Sequence, residues 1–175
     1  MNRFNIDILD AELKRALKRL GERVSPSGMR VALAEIGSDL AESTRRRFTS
    51  STGADGSRWA GLAKSTMMSR LYALGAFSKK TGRLTKKGAA AAASMKPLVE
   101  TGELSRFIRY QVVDGGASVV IGTNRTFDDE AGVGAEVHQF GTRTIPARPF
   151  LGIDEQDKAT ILDILNRHLS DAANQ

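Results

Sequence analysis

The chain has 175 residues, 18.9 kDa, with 41% hydrophobic, 26% charged and 6% aromatic residues, which fits one domain able to bury a sizeable core. That composition excludes a wholly disordered chain and a collagen-like fibre, and the absence of cysteine excludes disulfides, thiolate metal sites and a cysteine nucleophile. No stretch approaches the ~20 apolar residues of a membrane-spanning helix. Asp7 and Asp10 interrupt the N-terminus before any signal-like apolar segment, so a soluble protein folding in the cytoplasm is expected.

The net charge of +6 is unevenly distributed. Residues 1–100 carry 19 Lys and Arg against 9 Asp and Glu, a balance of +10; residues 101–175 carry 7 against 11, a balance of −4. Such a chain can pair head to tail with its own copies, or offer its basic half to nucleic acid or an acidic protein.

In chain order, Leu9, Leu13, Ala16, Leu17 and Leu20 recur at helical spacing, predicting a first helix over Asp7–Leu20 with Asp7 as N-cap and Gly21 as C-cap. Ser25-Pro26-Ser27-Gly28 then breaks the chain. A longer amphipathic helix follows over Met29–Phe48, with Met29, Leu33, Ile36, Leu40 and Phe48 as its apolar stripe. Arg45, Arg46 and Arg47 lie in its last turn, either as a solvated, dipole-favoured end or as an anion- or partner-binding patch.

Residues 49–57 read as a loop, with the single tryptophan, Trp59, beyond it as a core anchor. A third helix is predicted over Lys64–Leu74, ended by Gly75. Residues 76–98 combine a basic run, including Lys79, Lys80, Lys86 and Lys87, with the alanine run Ala89–Ala93; alanine buries little surface, so a mobile or extended arm that orders on a partner is expected.

After a capped turn at Thr101–Phe107, the β-branched runs Ile108–Val113 and Ala117–Thr123, joined by Asp114-Gly115-Gly116, predict a hairpin. Residues 124–136 form an acidic loop, and Val137–Phe140 with Thr142–Ile145 suggest a further hairpin about Gly141. Pro146 and Pro149 force an extended path around Arg148. A final helix over Asp154–Ser170, N-capped by Asp154, buries Ile161, Leu162, Leu165 and Leu169. The fold class is α+β: N-terminal helices, a central antiparallel sheet, and a C-terminal helix packed on it, in one domain.

Catalytic signals are sparse. On a strand, Glu136 and His138 would share a face and make a general-base pair, the basis of a distant hydrolase reading. No nucleophile motif or phosphate loop accompanies them, so no catalytic residue is assigned. Asp128-Asp129-Glu130 lacks calcium-loop spacing, so neither metal nor cofactor is expected. The basic half supports an alternative reading as a sequence-unspecific nucleic-acid-binding protein, although no reading module is present.

Four ordered blocks resemble the phage virion morphogenesis family, the tail-completion proteins of Mu-like and other contractile-tailed phages. Asp55-Gly56-Ser57-Arg58-Trp59-Ala60-Gly61-Leu62 is similar to its "D-G-x-x-W-x-x-L" block, Thr101-Gly102-Glu103-Leu104 to its "T-G-x-L" turn, and Val119-Val120-Ile121-Gly122-Thr123 to a strand end. His138-Gln139-Phe140-Gly141, followed by Ile145-Pro146-Ala147-Arg148-Pro149-Phe150-Leu151-Gly152, is the sharpest match. The acidic loop 124–136 and the segment 76–98 are longer than in many members. The resemblance implies a non-enzymatic protein of the virion tail or neck, assembled in the bacterial cytoplasm, that completes the tail for head joining. Its implied partners are its own copies in a ring (a hexamer being the candidate), tail tube or sheath and head-connector proteins, with unspecific DNA contact as a further candidate and no membrane. Trp59, Leu62, His138, Phe140, Gly141, Pro146, Arg148, Pro149 and Phe150 are the candidate motif or interface residues, the alternative being that they only build the monomer core. Phe140-Gly141 and Pro149-Phe150-Leu151 are apolar anchors suited to core or subunit packing, and Arg148 is a candidate for a fixed salt bridge.

Overall fold

The computed structural model describes residues 26–123 and 134–173. The expected helix Asp7–Leu20 and the acidic triplet Asp128-Asp129-Glu130 lie outside the described residues. Helix α1 spans Pro26–Ser50. Pro26, Ser27 and Gly28, expected as a break, belong to its first turn, where a proline's missing N–H has no intrahelical acceptor anyway. The other elements are α2 (Lys64–Ala73), α3 (Lys86–Ser94), α4 (Glu103–Arg106), β1 (Arg109–Val113), β2 (Ser118–Gly122), α5 (Ala135–Phe140) and α6 (Glu155–Ala173). The fold is α+β.

α1 is the organising element, because α6 and both strands pack against it. Met29, Leu33, Ile36 and Leu40 of α1 meet Ile161, Ile164 and Leu165 of α6 in one core cluster. Leu162, expected in that stripe, is 48% exposed, and Ile164 takes the buried place. The strands pair antiparallel with Val112 opposite Val119 and Tyr110 opposite Ile121, and Val112, Val119 and Ile121 cover the same cluster. Gly37 makes this approach possible: a Cβ there would sit 2.5 Å from the Tyr110 ring. A 3₁₀ turn at Asp114–Gly116 joins the strands, with Gly115 at φ +68°. At the far end of α6, Glu35 of α1 accepts from Arg167 at 2.6 Å and pairs with His168 at 2.9 Å. The Arg167 hydrogen bond, then that of His168, hold the Glu35 carboxyl below its ordinary pKa.

A second cluster, Ala41, Phe48, Trp59, Leu104, Ile108, Ala135, Phe150 and Leu151, lies at the other end of α1. The second hairpin expected about Gly141 does not form. Val137–Phe140 is helical within α5, and the described sheet has two strands only. Helical spacing buries Ala135 and Gln139 together, four residues apart, and turns the half-buried Val137, which strand alternation would place on their face, to another side. Residues 142–145 form a turn in which the Thr142 hydroxyl accepts from the Thr144 and Ile145 N–H groups at 3.3 and 3.0 Å.

Residues 76–98 contain an antiparallel bridge between Phe77 and Leu84, followed by α3. The Thr85 hydroxyl caps α3 by accepting from Gly88 N at 3.0 Å. Gly88 is the one buried residue of α3, against Ala76, while Ala89, Ala90 and Ala93 are exposed. No described helix is long and apolar enough to cross a membrane.

Candidate functional site: two interlocked loops

The chain leaves α1 into a tight loop. Thr52 and Arg58 form a β-bridge, and Gly53 N donates to Ser57 O at 2.9 Å. Inside the loop Asp55 accepts from the Ser57 hydroxyl at 2.7 Å and the Ser57 N–H at 3.0 Å. These two bonds depress the Asp55 pKa. Gly56, at φ +75°, supplies the left-handed residue that the turn requires. The local chemistry of Asp-Gly-Ser therefore sets the geometry that aims Trp59 inward.

Trp59 is 7% exposed, meets Phe48 edge-on with centroids 5.4 Å apart, and donates its indole N–H to Pro149 O at 3.0 Å. Phe150, fully buried, touches Phe48 from another side, also at 5.4 Å. Arg148 reaches back in the opposite direction. Its Nε donates to Ala60 O and an Nη to Gly61 O, both at 2.7 Å. The expected salt bridge of Arg148 is thus replaced by two backbone carbonyls, which lie in an irregular segment without a ladder partner and match the guanidinium fork. Burial lowers the Arg148 pKa, but it remains a cation at neutral pH.

Gln139 is the residue that the motif reading passed over. It is 6% exposed, accepts from Phe150 N and Leu151 N at 3.0 Å each, and donates to Leu151 O at 3.0 Å. One side chain therefore pairs a stretch of extended backbone as a neighbouring strand would. Its neighbours, His138 and Phe140, do not mark it as buried, and its burial demands partners for both amide atoms. Gly141 closes α5 at φ +73°, ψ 179°, where a Cβ would lie 2.7 Å from Ala147 N and 2.9 Å from Ile145 O. Arg148 N donates to His138 O at 2.7 Å, so residues 141–147 project as a loop closed at its base.

The three consecutive arginines of α1, Arg45, Arg46 and Arg47, separate. Arg47 is 4% exposed and buried against the loop: it donates to Phe150 O (3.2 Å), Gly152 O (2.8 Å), Asp154 (3.2 Å) and Asp157 (2.5 Å). This corrects its expected role as a surface contact. Position 47 continues the buried stripe of Leu33 and Leu40 at seven-residue steps, a signal that the run of three arginines obscured. Asp154 and Asp157 cap α6 reciprocally, Asp157 N donating to Asp154 at 2.7 Å and Asp154 N to Asp157 at 3.1 Å. Burial opposes ionisation of Asp154, but the Asp157 N–H and Arg47 outweigh it and leave its pKa below the ordinary value. Arg45 pairs with Glu42 at 3.1 Å and donates to Ile108 O at 2.8 Å; Arg46 stays exposed.

Glu136 and His138 do not form a facing pair. Both lie on α5, where residues two apart diverge by about 200° around the axis. Phe140, at 64% exposed, is not a core anchor, and Pro146 is also exposed; Leu62 and Pro149 are half-buried. Lys79, Lys80, Lys86 and Lys87 are exposed on the 76–98 segment, away from this interlock. Among the described residues no group of His, Asp and Glu could hold a metal ion. The groove of about 250 Å³ between α1 and α6 is lined by Ile36, Leu40, Ile161 and Ile164 with Arg46 at its rim, and by neither described histidine. The buried polar groups of the site fix backbone, and what they fix is the projecting loop 141–147.

Compared with known proteins, residues 8–170 match the model of the phage virion morphogenesis family, and all four motif blocks fall inside that range. No curated protein and no solved structure matches the chain significantly.

Proposed function

The chain belongs to the phage virion morphogenesis family, so its role is in building the phage particle, and from that premise we propose that it completes the tail at the head–tail junction. In this reading it is a structural protein of the tail or neck, assembled in the host bacterial cytoplasm, that caps the tail as a ring of identical subunits. The ring contacts tail tube or sheath on one side and the head connector on the other.

The observation that carries the reading is the interlock of Trp59, Gln139 and Arg148. Their hydrogen-bonding groups are spent on backbone, as suits a scaffold that presents a surface. The loop 141–147, with exposed Arg143 and Pro146 and the exposed ring of Phe140, is the docking surface proposed. Charge supports self-assembly, since the two halves of the sequence carry balances of +10 and −4.

The test is to delete the gene from its phage and examine lysates by electron microscopy. Separate filled heads and full-length tails, joined on addition of purified protein, are expected. Normal particles without the protein, or heads that fail to fill, would refute the placement.

A further inference from the structure

Between Asp55 and Glu100 the chain carries nine Lys and Arg and no carboxylate. Five of these cations, Lys79, Lys80, Arg83, Lys86 and Lys87, are exposed and fall within nine consecutive residues. The fold brings them closer still. Ser78 N donates to Arg83 O at 2.8 Å and Gly82 N to Ser78 O at 2.8 Å, which closes a tight loop bearing Lys79 and Lys80. Phe77 and Leu84 bridge below it, and Thr85, which donates through both its N–H and its hydroxyl to Ala76 O, starts α3 at the base of that loop. Lys86 and Lys87 then occupy the first turn of α3.

This arrangement works against its own fold. Cations in a first helical turn oppose the macrodipole, and five like charges on one loop and turn repel one another. Among the described residues none of the five meets a carboxylate within ion-pairing distance. The contrast is with α6, which opens with Glu155 and Asp157; α2 opens with the single cation Lys64, whereas α3 opens with two and carries three more on the loop before it. A local rule broken without internal compensation marks a surface whose compensation comes from outside.

We propose that the loop 78–83 and the first turn of α3 form a sequence-independent, phosphate-contacting surface for double-stranded DNA. Four of the five cations are lysines, a residue depleted at protein–protein interfaces and suited as a point charge to phosphate. Of the exposed aromatic and aliphatic groups that a protein interface favours, Tyr72 and Leu74 belong to α2 and its end; the Tyr72 ring stacks on Phe77 at 4.5 Å beneath the loop and does not lie among the five cations in the chain. Within the run the one large apolar group is Leu84, 40% exposed. The inference does not rest on the head–tail placement, because DNA contact can hold wherever in the particle the protein sits.

The experiment measures anisotropy of a labelled random duplex of about 30 bp with the full chain, between about 50 and about 200 mM salt. Five phosphate contacts give a log–log slope of about −4 to −5, hence a loss of a few hundred-fold over that range. Combining Lys79→Gln, Lys80→Gln, Lys86→Gln and Lys87→Gln should weaken binding at least about tenfold at low salt and flatten the slope by about 3–4. The pair Lys79→Gln and Lys80→Gln, both on an exposed loop, should give about half that change in slope. Arg46→Gln, outside the patch, should change the slope by no more than about one contact. Absence of duplex binding at low salt would overturn the proposal, as would an unchanged slope in the lysine variants. Tighter binding to poly-L-glutamate than to duplex at equal charge would also overturn it, in favour of an acidic protein surface.

Discussion

Replacing Arg47 by methionine tests whether the two loops are held together from α1. The guanidinium has four acceptors at 2.5–3.2 Å, two of them carbonyls of the 150–152 segment and two carboxylates of the α6 cap. Arg47 and Asp157 are each 4% exposed, so this is a buried pair and not a surface one. Breaking a buried pair by removing one partner costs about 3–5 kcal/mol. Two features keep the expectation within that range. Asp157 retains the Asp154 N–H as a donor, and the Arg47 Nε is itself buried without a partner, which already subtracts from the native state. At about 2–4 °C per kcal/mol for a domain of this size, Arg47→Met should lower the melting temperature by roughly 6–20 °C. Urea denaturation should show the same loss at unchanged m-value, and Arg46→Met should stay within about 0.5 kcal/mol of the parent. Combining Arg47→Met with Asp157→Asn should cost less than the sum of the two. A loss below about 1 kcal/mol for Arg47→Met, the scale of an exposed ion pair, would refute the buried clamp.

Gly141→Ala should cost at least about 2 kcal/mol in thermal melts, because its φ, ψ region is nearly exclusive to glycine and the added Cβ meets the Ala147 and Ile145 backbone. Gln139→Leu leaves two N–H groups and one carbonyl unpaired in a buried segment, and should cost about 3 kcal/mol or more in urea titration. Asp154 and Glu35 have folded pKa values below their ordinary ones, so their stabilisation is full above the unfolded pKa near ~4 and is lost as pH falls through the folded values. Melting temperature should therefore plateau above about pH 5 and fall on acidification, and Glu35→Gln should flatten that acid limb. Amide exchange across Ala89–Ala93 should be fast relative to Leu33–Leu40, since α3 buries only Gly88.

The elements with sustained periodicity were legible in the residues. The stripe Met29, Leu33, Ile36, Leu40, Phe48 specifies α1, the Asp-Gly-Gly junction specifies the β1–β2 turn, and Asp154 caps α6 as its residue type suggests. Val137–Phe140 was not legible, because two apolar residues three apart in so short a segment do not distinguish a strand from one helical turn. The partners are long-range: from α5, Gln139 donates to Leu151 O at 3.0 Å and accepts from the N–H groups of 150 and 151. The arginines failed for a related reason. Arg45, Arg46 and Arg47 are identical in charge; the seven-residue step from Leu33 and Leu40 points to position 47, but the carboxylates that make its burial tolerable lie about 110 positions later. Arg148 was singled out by its prolines, but its acceptors are carbonyls, which no sequence motif displays.

A common physical problem explains why the motif residues are of these kinds. Residues 149–152 bring the buried Phe150 and Leu151 into the core, yet among the described residues no β-strand pairs them. Buried backbone without partners costs about as much as lost hydrogen bonds, so side chains must supply the ladder. Trp59 satisfies the carbonyl of 149, Gln139 both N–H groups and the carbonyl at 150–151, and Arg47 the carbonyls of 150 and 152. Each donor comes from a different element: the loop after α1, α5, and α1 itself. The segment is therefore held by three anchors that move only if the whole end of the domain moves. The loop 141–147 begins at α5 and ends at Arg148, so both of its ends are fixed by the same network. A loop held in this way has little backbone entropy left to lose on docking, which leaves more of its contact energy for affinity. That is the physical advantage of placing buried polar side chains beneath the loop proposed above as a docking surface.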